Sequence, residues 1–180
     1  CLLSSGFSGL RTFSYGLLNA SDPDIKITST LGKNFLVDDK LVSTLNKFDE
    51  VVDFSQVIEE RVFLQFQDKN EIAYVKGVEP NYTNITSIDS SIYVGNWLDF
   101  NYTNIAVIGR AIASKLSMGL GVYGEPLKLL IPKPGNGFIN PANAFYETNV
   151  QMIGLYSGTE DFESKYVYVT IDQARDLLRF

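Results

Sequence analysis

The chain has no histidine and a single cysteine in its 180 residues. The first absence excludes imidazole metal sites and any catalytic triad whose base is histidine. The second excludes disulfides within the chain and thiolate zinc clusters. Side-chain chemistry is left to carboxylates and lysines, which shifts the balance toward a binding or structural role. Clustered positive charge is also missing: 15 Lys and Arg face 21 Asp and Glu, giving a net charge of −6 and a pI near 4.6. A phosphate backbone or an anionic lipid surface needs a stripe of cations, so no nucleic-acid partner is expected. There is no P-loop, no nucleophile elbow, no internal repeat and no low-complexity segment. What the chain does have is enough length to bury roughly 70% of its unfolded surface.

Along the chain, CLLSSGFSGLRTFSYGLL carries no charge before Arg11, and Leu3, Phe7, Leu10, Leu17 and Leu18 fall near helical spacing. The stretch is too short and too polar to span a bilayer, which takes about 20 apolar residues. Three readings stay open for it: a membrane helix cut short, a lipid-modified Cys1, or a buried amphipathic helix. A turn cluster at 19–24 precedes an alternating strand at 25–28. Asp38 or Asp39 caps a helix in which Leu41, Leu45 and Phe48 share a face. Residues 51–67 read as extended chain, bent near Glu59 and Glu60, and turn at 68–70 into a second strand over 71–78. From 79 to 103 the pattern loosens, with Ile92, Val94 and Trp97 as apolar anchors. A short strand at 106–108 leads to a helix carrying Ile112 and Leu116, and another strand covers 127–131. The prolines and glycines of 132–143 forbid regular structure there. Strands at 150–156 and 166–169 flank a turn at Ser157 and Gly158. Thr170 and Gln173 form a capping box for a last helix whose Ala174, Leu177 and Leu178 face a core. The pattern is α+β.

Few motifs carry chemistry. GLGVYG at 119–124 matches the dinucleotide fingerprint literally, but a helix precedes it and a strand follows. That reverses the order the chemistry requires, so it reads as a helix C-cap and turn. Glu160, Asp161 and Glu163 lack the ligand spacing of a calcium loop and read as a solvated hairpin tip. The long 132–143 loop is different. It has a stiff Pro/Gly frame, Lys133, and apolar Phe138 and Ile139 near its tip, and loops of that length are often functional. Composition alone leaves it open between a connector and a partner contact.

Four blocks in order carry a family resemblance: SGFSGLRTF with DPDIKI, YVKGVEPNYTNITSI, IAVIGRAIASKLSMGLGVYGEPLKLLIPK, and VQMIGLYSGTEDFESKYVYVTIDQARDLLRF. Together they resemble the periplasmic domain of ABC transporter permeases of the MacB-like, FtsX-like superfamily, most of all the lipoprotein-releasing (LolC/LolE-type) subfamily. Gly124-Glu125 departs from the family's usual Gly-Asp, and the chain stops where the family commonly adds a strand.

The resemblance implies a two-lobed MacB-like periplasmic core. A Porter-like βαβ lobe from 1–67 and 148–180 would lie beside the membrane, with 1–18 continuing a transmembrane helix. A β-rich Sabre-like lobe, 68–147, would be inserted into it. It further implies no catalysis and no cofactor in this domain, with ATP hydrolysis on a separate subunit or domain. The expected place is the periplasmic side of the bacterial inner membrane. The expected partners are the ABC ATPase subunit, a second permease subunit, a periplasmic lipoprotein carrier or adaptor, and a lipoprotein or lipid cargo. In the lipoprotein-releasing members a hook loop recruits the carrier. Its position corresponds to 132–147, which makes Pro132, Lys133, Pro134, Phe138, Ile139 and Pro141 the expected partner-binding residues. MacB-type efflux or FtsX-type cell-wall regulation is the alternative within the family. A ligand-binding surface lipoprotein anchored through Cys1 is the alternative outside it.

Overall fold

The structure is a computed structural model and describes residues 22–30, 32, 35–119, 125–133 and 144–179. The expected opening helix, most of the glycine turn, and residues 134–143 of the long loop lie outside these residues.

Residues 57–66 and 69–78 are rich in β-branched and aromatic side chains, and they pair as a long antiparallel hairpin. β1 (Val57–Phe66) runs in unbroken register with β2 (Lys69–Val78), from Val57 opposite Val78 to Phe66 opposite Lys69. The bend expected near Glu59 and Glu60 is therefore absent, because both residues keep their ladder partners, Lys76 and Val75. The connection is a two-residue turn in which Gln67 takes a positive φ of 52°.

A helical turn α1 (Asp39–Leu45) precedes the hairpin, and α2 (Tyr82–Ile85) and a 3-10 turn (Ile88–Ser91) follow it. Next come β3 (Ile92–Gly95), β4 (Ile105–Gly109), α3 (Arg110–Lys115), β5 (Leu127–Pro132), β6 (Phe145–Tyr156), α4 (Glu160–Glu163), β7 (Tyr166–Thr170) and α5 (Ile171–Leu178).

Seven strands form one sheet in the order β3-β6-β4-β7-β2-β1-β5, and β5 pairs again with β6. β6 makes this closure by dividing its length. Its residues Phe145 to Val150 pair antiparallel with β5, and Gln151 to Tyr156 pair with β4 in parallel. β4 and β7 lie inside the sheet and are buried at every position. The antiparallel neighbour of β7 is β4, so the expected turn between β6 and β7 is a crossover connection and not a hairpin.

Each face of the sheet has its own core. On one, Val62, Leu64, Phe66, Val75, Ile108, Leu127, Leu129 and Val167 pack against Ile112 and Leu116 of α3 and Ala174 and Leu177 of α5. On the other, the irregular 80–104 segment lays Tyr82, Ile88 and Leu98 over Val107, Tyr156, Tyr166 and Tyr168. Of the expected lobe boundaries, 67/68 falls in the β1–β2 turn and 147/148 inside β6.

Two local expectations fail where packing overrides pattern. Residues 25–28 form no strand, and Ile25 and Ile27 are exposed. Their alternation finds no neighbouring edge among the described residues; instead Lys26 reaches Glu59 at 3.6 Å. In α1, Asp38 caps as expected by accepting from the Leu41 N–H at 2.8 Å, but no residue of the helix is buried and Phe48 is exposed.

Candidate partner-binding surface

β5 and β6 pair as a two-stranded ribbon in strict register up to Pro132 opposite Phe145, and Lys128, Leu129 and Leu130 of β5 pair with β1 on the other side. Beyond that pair the Lys133 N–H donates to the Ala144 carbonyl at 2.8 Å, closing the stem of the long loop. The Lys133 ammonium lies over the Tyr146 ring, 5.2 Å from its centroid. Pro132 and Lys133 thus stand at the base of the expected hook. Pro134, Phe138, Ile139 and Pro141 lie outside the described residues.

The outer face of the sheet beside that stem is apolar and open. Phe63 of β1 stacks edge-on against Phe145 of β6, with centroids 5.9 Å apart. Its cross-strand neighbours are Ile72 on β2 and half-buried Leu130 on β5. Phe63, Ile72, Tyr74 and Phe145 are each 37–42% exposed. A sheet face buries one residue in two, so outward apolar side chains on adjacent strands signal something to cover them. The sequence carried this signal. In β1 and β2 the alternation is apolar against apolar at Val62, Phe63 and Leu64, where a solvated face would be polar.

Further along the same face the aromatics close over and bury a lysine. Lys76 is 5% exposed, with its ammonium 4.4 Å from the Tyr166 ring centroid and 5.7 and 5.8 Å from those of Tyr82 and Tyr168. Burial pulls its pKa down to about 8, against the opposing field of Glu59. The cross-strand partner of Lys76 on β1 is Glu59, whose carboxylate accepts a long hydrogen bond from the Tyr166 hydroxyl at 3.4 Å. Tyrosine rings lend the cation a quadrupole in place of water. Burial moves the Tyr82, Tyr156 and Tyr168 hydroxyls up, out of the range where they could act as bases.

The expected solvated tip at 160–163 divides. Glu160 and Asp161 are exposed, but Glu163 is 3% exposed. Its carboxylate accepts from the Ser157 hydroxyl at 2.7 Å, the Gly158 N–H at 2.8 Å and the Arg110 Nε at 3.3 Å. Burial raises its pKa, and these three donors more than reverse the effect, leaving it below the usual carboxylate range. Gly109 permits the approach, since a Cβ there would overlap the Glu163 carbonyl. The three donors hold Glu163 to the 157–158 turn and to the start of α3. Among the described residues no three Asp, Glu or Cys side chains gather in a way that could hold a metal ion, and no helix is long and apolar enough to cross a membrane.

With this geometry in place, the comparison with solved structures gives a definite relation. The extracellular domain of YknZ, a noncanonic ABC-type transporter from Gram-positive bacteria, superposes with a TM-score of 0.56 at 13% identity, over 79% of this chain and 66% of that one. The fold is α+β and of the YknZ extracellular kind. The periplasmic region of MacB from Actinobacillus actinomycetemcomitans gives a TM-score of 0.48 at 13% identity, over 77% of this chain and 58% of that one. The chain thus spans just under two thirds of the YknZ domain's length and less of the MacB region's. No family model matches the sequence, and no curated protein matches it.

Proposed function

We propose that this chain is a non-catalytic extracytoplasmic domain of an ABC transporter permease. It passes the motion of membrane helices, driven by an ATPase on a separate subunit or domain, to cargo and a partner outside the membrane. The cargo in this reading is a lipoprotein or another lipid-bearing envelope substrate, and a second permease subunit completes the transporter. The β5–β6 ribbon and the loop it carries are the seat of the extracytoplasmic partner, a lipoprotein carrier or adaptor. The observation that supports this most is the open apolar face of Phe63, Ile72, Tyr74 and Phe145 at the base of that loop, on a fold shared with the YknZ extracellular domain.

The test is carrier capture by the full-length permease in native membranes, with a photo-crosslinking residue placed at 140. A crosslink to the carrier is expected, and it should vanish when Phe138 and Ile139 are both replaced by Asp. Capture unchanged by that double replacement would overturn the loop assignment. A second reading seats another component of an ABC-type transporter on the same surface, the class of protein to which the YknZ domain belongs. Crosslinking to such a component in place of a carrier would decide for it.

A further inference from the structure

Gln173 is 8% exposed, and neither its side-chain nitrogen nor its side-chain oxygen has a hydrogen-bond partner among the described residues. The expected capping box is therefore only half made. Thr170 Oγ1 accepts from the Gln173 N–H at 3.3 Å, while the Gln173 carboxamide makes no return bond to the start of the helix. Buried amides are ordinarily satisfied, so one that is not leaves a donor and an acceptor for a group from outside the chain. Gln173 forms part of the wall of an open cleft of about 310 Å³ at the N-terminal end of α5. Phe100 and Tyr102 supply apolar surface to the same cleft, and Asp172 and Asp176 its charge. Asp172 is held by Arg175 at 3.0 Å, and Asp176 has no ion pair among the described residues.

We infer that this cleft binds a short peptide segment bearing a lysine or arginine. A carboxamide offers a donor and an acceptor in one plane, which complements the N–H and C=O of a peptide group. Asp176 and the exposed face of Tyr102 suit a cation beside it. A helix N-terminus by itself would favour an anion, but two carboxylates one turn apart repel one, so a phosphate fits poorly. The inference stands apart from the proposed partner surface: of the β5–β6 residues the cleft is lined by Thr148, and by none of Phe63, Ile72, Tyr74 and Phe145.

The experiment is an NMR titration of the 180-residue chain with acetyl-Gly-Lys-Gly-amide, and in parallel with butylamine. Saturable binding is expected, with a Kd on the order of 1 mM or tighter, weakening with added salt. The Gln173 side-chain NH₂ resonances should move at saturation. Gln173→Leu should bind about tenfold more weakly or worse, while keeping its thermal midpoint. Gln173 resonances that stay put in the wild-type chain overturn the site whatever the variant does. Butylamine binding as tightly as the peptide overturns the peptide assignment, and undiminished binding by Gln173→Leu overturns the role of the carboxamide.

Discussion

A Cβ added to Gly77 would overlap the Cβ of Ala174, because α5 lies directly on β2 there. Gly77→Ala should lower stability by about 1–3 kcal/mol, the cost of overpacking a filled contact. Ala174→Gly costs about 1 kcal/mol alone, as glycine does inside a helix, yet it should recover part of the loss when combined with Gly77→Ala. Urea midpoints of the four proteins measure the coupling, and strictly additive effects would show that the helix does not rest on that glycine.

Lys76 gives a second residue-scale outcome, with a definite sign. Its folded pKa of about 8 lies below its ordinary value of 10.5. Between those values the unfolded chain holds a proton that the folded chain has released, so stability rises with pH from about 8. The slope approaches about 1.4 kcal/mol per pH unit at most. Above about pH 10 the buried tyrosines oppose it, because burial keeps their hydroxyls protonated only in the folded state. Urea midpoints from pH 7 to 10 should climb in the wild type and stay flat in Lys76→Met. A flat wild-type profile would mean that the ammonium is not desolvated among the tyrosines.

At the scale of elements, Glu163 ties the 157–158 turn to the start of α3 through three donors. Since its folded pKa lies below the usual range, its contribution is complete above about pH 4.5 and fades as pH falls through the lowered value. Glu163→Gln should cost about 1–3 kcal/mol near neutrality, the loss expected for buried bonds to a charged group. It should also flatten the acid limb of the stability curve. Equal acid limbs in the two proteins would place the stabilising charge elsewhere.

Sequence reading found the elements whose signals are local. The Asp38 cap, the 71–78 strand, the helix carrying Ile112 and Leu116, and the Thr170 cap all rest on neighbours within a few residues. It missed what depends on distant pairing. Nothing near 25–28 says that its alternation lacks an edge to join. Nothing in EDFE says that Arg110 and the 157–158 turn converge on Glu163 but leave Glu160 and Asp161 in water. The insertion of β4 between β6 and β7 is a fact of topology, invisible to a pattern that reads 150–169 as strand, turn, strand. Of the candidate surface, the loop was singled out by its prolines and apolar tip, and its residues 134–143 lie outside the described ones. The aromatic face beneath it needs β1, β2, β5 and β6 side by side.

For the whole molecule, the closure of the sheet through β6 completes its hydrogen-bonded frame at the stem of the long loop. Its stem is complete without it: Pro132 pairs with Phe145, the Lys133 N–H bonds the Ala144 carbonyl, and Phe63 stacks on Phe145. Replacing residues 134–143 by a two-residue Asn-Gly turn should therefore leave the fold intact. Shortening the loop changes its closure entropy by only about 1–1.5 kcal/mol, in the stabilising direction. The thermal midpoint should hold or rise by a few degrees, and partner capture by the full-length protein should be lost. A large fall in the midpoint would mean that the loop packs back onto the open face of Phe63, Ile72 and Tyr74 and is part of the core. An unchanged midpoint with undiminished capture would move the partner's footing from the loop to that face itself. Phe63→Ser with Ile72→Ser should then abolish capture while Phe138→Asp with Ile139→Asp does not.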